Sequence, residues 1–181
     1  MKSGAGQHHP EGLGPRQHAQ VLLGGGLEVV DTPRMKPDDV IIECARKGGV
    51  IGIEAAPHTT LTKRHPEHSI ESYMEHFEYI ANLVGIDHVA FGPDTLFGDH
   101  VGLHHVFAGA LSIKSAHGKT PFEEVEYVKG IENPAEAFPN IVRWLVAHGY
   151  SDQDIRKSVS GNIVRVLEEA WSAPRLVAAH S

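Results

Sequence analysis

Asp94 closes the stretch Gly85–Asp94, G-I-D-H-V-A-F-G-P-D, and its setting is the one that most suggests chemistry. His88-Val89-Ala90-Phe91 is short, apolar and partly β-branched, with Gly85 before it and Gly92-Pro93 after it. That framing suits a strand buried on both faces of a parallel sheet. Reactive groups in α/β folds gather at the carboxyl ends of such strands, where Asp94 then stands. A carboxylate there can take part in chemistry; it can equally cap the next turn, and position alone leaves both open. Asp99, His100, His104, His105 and His117 follow between Thr95 and Lys119. Imidazole and carboxylate suit zinc or a similar ion. Asp94, Asp99, His100, His104 and His105 are therefore a candidate metal set, although a polar loop over the sheet edge is the favoured reading. His8, His9 and His18 lie among scattered glycines with no framework to hold a metal.

The elements that must position Asp94 can be read in order. Residues 1–30 are rich in Gly, Gln, His and Pro without helical or strand period, and read as a segment lacking regular structure. Gly24-Gly25-Gly26 is expected to have neither the strand before it nor the helix after it that a phosphate-binding loop needs. Pro37-Asp38-Asp39 opens a helix, because proline suits the first turn and acids suit its positive end. Val40, Ile41, Cys44 and Ala45 share one face, Lys47-Gly48-Gly49 ends the helix, and Val50–Ile53 is a short buried strand reaching Glu54. Ser69 is the expected N-cap of a second helix whose stripe is Ile70, Tyr73, Met74, Phe77, Ile80, Ala81 and Val84. Gly130–Pro134 reads as a turn and a helix is expected from Asn140. Ser151–Asp154 reads as a capped start, with a break expected at Gly161-Asn162. Residues 172–181 read as a frayed tail.

The chain has 181 residues, 41% of them hydrophobic, which is enough for a sizeable core. A net charge of −7 argues against a nucleic-acid partner, which wants a basic stripe. No stretch approaches the roughly 20 apolar residues that span a bilayer. The single cysteine, Cys44, is a core filler rather than half of a disulfide. A cytoplasmic location and no membrane partner are the expectations.

Arg34–Asp39, Lys47–Ile53 and Leu83–Asp94 together resemble the membrane (renal) dipeptidase family, peptidase family M19. So do Asn133-Pro134, Phe138-Pro139-Asn140, His148–Ser151, Asp154–Lys157 and Gly161–Leu167, in the family's order. The resemblance covers residues 31–171 and implies the C-terminal part of a (β/α)8 TIM barrel of metal-dependent hydrolase type. It implies cleavage of dipeptides by metal-activated water, with two zinc ions per complete barrel. It makes Asp94 the catalytic carboxylate and Arg34 the group that grips the substrate carboxylate, as a guanidinium fork can do bidentately. The family's metal ligands lie upstream of the matching stretch, so no residue of this chain is assigned to metal. The expectation is a truncated and inactive form, completed by another chain or by homo-oligomerisation. The alternative is a non-catalytic fragment acting as an assembly or binding module.

Overall fold

The computed structural model describes residues 21–23, 35–56, 60–98, 102–103, 106 and 125–172. Three parallel strands lie side by side in chain order: β1 (Val21–Leu23), β2 (Val50–Ile53) and β3 (Val89–Phe91). Val21 pairs with Val50, and Ile51 with Val89. Strand β1 is a correction. It falls within residues 1–30, where no regular structure was expected, and it immediately precedes Gly24-Gly25-Gly26. Three residues are too short to show a period; a ladder of hydrogen bonds to β2, which no local pattern encodes, makes them a strand.

Helix α1 (Asp38–Arg46) carries Asp38 and Asp39 in its first turn and buries Ile41 and Cys44, while Val40 lies largely in solvent. Helix α2 (Ile70–Val84) begins at a capping box: the Ser69 hydroxyl accepts the Ser72 amide and the Ser72 hydroxyl accepts the Ser69 amide. Gly85 ends it with φ of 91°, a backbone state in which a side chain is strained. A 3₁₀ turn, Ile86–His88, leads into β3, so His88 belongs to the turn and not to the strand.

Helix α3 (Pro134–Ala147) starts six residues before the expected Asn140. Asn133 caps the Ala135 and Glu136 amides, and Pro134 occupies the first turn, where a missing N–H costs nothing. Helix α4 (Asp152–Arg156) is capped by Ser151, whose hydroxyl accepts the Asp154 amide. No break follows at Gly161-Asn162. The chain instead widens into a π turn, Lys157–Gly161, and continues as α5 (Asn162–Ser172). A Cβ on Gly161 would stand 3.3 Å from the Arg156 carbonyl oxygen, so glycine permits the widening.

The sheet has two different faces. Ile51, Ile53, Val89 and Phe91 pack against Ile41 and Cys44 of α1, Tyr73, Met74, Phe77 and Ile80 of α2, and Ile141 and Leu145 of α3. Phe77 stacks on Phe91 at a centroid distance of 4.7 Å. The alternate residues Val50 and Ala90 face the other way and meet Val166 and Ile163 of α5. Among the described residues no helix is long and apolar enough to cross a membrane.

Candidate functional site

Hydrogen bonding between β2 and β3 continues past the strands at their carboxyl ends. The Gly92 amide donates to the Ile53 carbonyl at 2.9 Å and the Ala55 amide to the Pro93 carbonyl at 3.2 Å. This extension holds Glu54 and Asp94 on neighbouring chain segments at one end of the sheet. Because side chains alternate along a strand, Gly52 and Glu54 are in phase with Val50, and Gly92 with Ala90. On that face Val166 and Ile163 of α5 cover Val50 and Ala90. Glu54 is half-buried and Asp94 exposed.

Asp94 has φ of 54°, alone among the described non-glycine residues in the left-handed region. Aspartate tolerates that state better than most residues, but it still costs free energy. The backbone thus leaves the strand direction at Asp94, and a carboxylate held there at some cost stands at the end of the sheet where α/β sites form. The sequence expectation for its place is met.

Tyr73 closes the site from the α2 side. It is fully buried, and its hydroxyl donates to the Ile53 carbonyl at 2.8 Å. Burial first, and the Glu54 charge second, push its pKa well above the ordinary tyrosine value, so the phenol stays a proton donor.

The chain after β2 builds a polar wall beside this end. Thr62 donates to Glu75 on α2 at 2.5 Å and receives the His65 amide at 2.8 Å. Thr60 is paired with His68 Nδ1 at 2.7 Å, and His76 Nε2 lies 3.2 Å from the Thr60 carbonyl. Arg64 and His65 stand 3.8 and 3.9 Å from the Glu75 carboxylate. Glu54 and His76 escaped sequence reasoning as site residues, although both leave a signal. Glu54 is the first charged residue after an apolar strand, as Asp94 is, and His76 interrupts the apolar stripe of α2.

Arg34, Asp99, His100, His104, His105 and His117 lie outside the described residues, as do His8, His9 and His18. Among the described residues no three His, Cys, Asp or Glu side chains come together as a metal centre. Asp94 with Glu54 is a pair of carboxylates, one short of the three protein ligands that a catalytic zinc site uses. The described part does not fit a metal centre by itself.

Comparison with known proteins gives this geometry a context. Residues 25–110, a span containing Arg34, Glu54 and Asp94, match the family model for membrane dipeptidase (peptidase family M19). Dipeptidase tcpJ of Claviceps purpurea is 27% identical over 137 residues, covering 75% of this chain and 25% of that protein. Dipeptidase aclJ of Aspergillus oryzae is 26% identical over 145 residues, covering 80% of this chain and 28% of the relative. The chain therefore spans about a quarter of the length of the curated relatives it matches. An amidohydrolase from Pseudomonas aeruginosa superposes with a TM-score of 0.64 at 27% identity, over 84% of this chain and 45% of that one. A metallo peptidase from Rhodobacter sphaeroides, solved with a phosphinate mimic of the dipeptide L-Ala-D-Ala, gives 0.62 at 18% identity. It covers 85% of this chain and 37% of its own, and at that identity shares the fold alone.

Proposed function

We propose that this chain, a segment of peptidase family M19, contributes the substrate-holding carboxylate and guanidinium of a metal-dependent dipeptidase site. Its α/β fold is that of a partial metal-dependent hydrolase, and the curated relatives it matches are named dipeptidases. The three neighbouring parallel strands, in chain order and with α1, α2 and α3 on one face, are read as one arc of a (β/α)8 barrel. The single observation that carries the proposal is Asp94, held at φ of 54° at the carboxyl end of β3.

In this reading Asp94 holds the free amine of a dipeptide or carries a proton to it, and Arg34 grips the terminal carboxylate as a bidentate fork. Zinc is the expected metal, and its ligands would come from outside the described residues. No chemical step is derived from it.

The test is dipeptide hydrolysis followed by amine release, with and without added zinc, alongside the metal content of the purified chain. With the metal ligands supplied by a complementing part of the barrel, the proposal expects zinc-dependent turnover, with Arg34→Ala raising KM by about tenfold, or roughly 1.4 kcal/mol, for loss of the carboxylate contact. Stoichiometric zinc without turnover would contradict it.

A further inference from the structure

His76 is 1% exposed, yet it sits in the middle of α2 among groups that hold the next segment of chain. Its Nε2 faces the Thr60 carbonyl at 3.2 Å. A carbonyl only accepts, so that nitrogen carries the hydrogen. Among the described residues the other ring nitrogen, Nδ1, is buried with no hydrogen-bond partner. The folded structure thus accommodates one tautomer of neutral imidazole. A second proton would place an N–H on Nδ1 where no described residue offers an acceptor, and would bury a charge.

The carbonyl that His76 holds belongs to Thr60, the first described residue of a segment running to Ser69 and the start of α2. Other contacts also hold that segment: Thr62 donates to Glu75, Thr60 pairs with His68, the His68 carbonyl accepts the Lys129 amide at 2.9 Å, and Ser69 caps α2. Upstream it connects to Glu54 at the carboxyl end of β2. Among the described residues, the Glu75 charge on its own helix acts on the imidazole, and Arg64, His65 and His68 lie on the segment. Glu75 is engaged by Thr62, Arg64 and His65, so its charge is shared among three partners.

We propose that His76 is a proton-operated latch: its neutral ring holds residues 60–69 closed beside the carboxyl end of the sheet, and its protonation releases them. The direction follows from linkage. Burial, outweighing the Thr60 and Leu61 backbone and the Glu75 charge, lowers the ring's pKa below its ordinary value. The open segment binds the proton more tightly than the closed one. Closure is therefore complete above the ordinary histidine pKa and is lost as pH falls below it.

The test is amide hydrogen exchange of residues 60–69 at pH 7.5 and 5.5, corrected for intrinsic exchange rates, together with NMR titration of the His76 ring. The proposal expects Nε2–H imidazole at pH 7.5 and protection falling by about tenfold per pH unit below roughly 6.5. His76→Gln, whose amide can donate to Thr60, should flatten that dependence, while His65→Gln should leave it intact. A pH-independent segment would overturn the proposal. So would an Nδ1–H or charged ring at pH 7.5, or a dependence that disappears in His65→Gln. The ring titration and the His65→Gln arm stand even where His76→Gln does not fold, and neither needs catalytic activity.

Discussion

The two ends of the three-stranded sheet are built on opposite plans. At the amino end, polar side chains of the π turn and α5 tie the sheet's connections together. Asn162 is 3% exposed and its Nδ2 donates to the Ile86 and Val89 carbonyls at 2.7 and 2.8 Å. Arg165 spans the same floor, donating to the Gly48 carbonyl at 2.7 Å and the Asp87 carbonyl at 2.9 Å, and Lys157 reaches the Asp87 carboxylate at 2.6 Å. At the carboxyl end stand an exposed Asp94 in a costly backbone state, a half-buried Glu54 and a 76% exposed Phe97. The difference teaches that α5 and the π turn stabilise the sheet, whereas the opposite end holds polar groups in place at the expense of stability. That is the division of labour expected of parallel α/β folds, with stability at the amino ends of the strands and chemistry at the carboxyl ends.

The contrast can be broken first at the floor. Asn162→Ala leaves the buried Val89 carbonyl and the half-buried Ile86 carbonyl without that donor and should cost about 2–3 kcal/mol, seen as a lower urea midpoint with an unchanged m-value. A cost below about 0.5 kcal/mol would mean that the floor carries little of the fold. Arg165→Ala removes two hydrogen bonds at a half-exposed position, where water can replace them, and should cost about 1 kcal/mol in the same measurement. The smallest effect sharpens the other end. Asp94→Gly relieves the left-handed backbone and should leave stability unchanged or raise it by up to about 1 kcal/mol. A marked loss would make Asp94 a turn-capping residue, the bland alternative that its position in the sequence leaves open.

Much of the floor and the outer packing was legible in the sequence. The stripe from Ile70 to Val84, the Ser69 cap and the acids opening α1 are local patterns with local causes, and each appears in the fold. Strand β1 was not legible, because its only warrant is the hydrogen-bond ladder it forms with Val50–Gly52. The continuous passage from α4 through the π turn to α5 was hidden by Gly161, which reads as a helix breaker but serves a close approach to Arg156. At the site, Asp94 could be placed from the strand that precedes it. Its backbone state could not, because a lone aspartate after Gly-Pro carries no sequence signal for φ of 54°. His76 was concealed by its company: a polar residue on an apolar stripe shows its use only when the Thr60 carbonyl is seen beside it.

The central claim is that the carboxyl end carries the chemistry through Asp94. Its most direct test is dipeptide hydrolysis by Asp94→Asn against the unaltered chain, with zinc present and equal thermal midpoints verified for both. The account predicts a loss of about 10²-fold or more in kcat, the scale of a removed proton-handling group, with no loss of stability. Activity within a few-fold of the unaltered chain would contradict it.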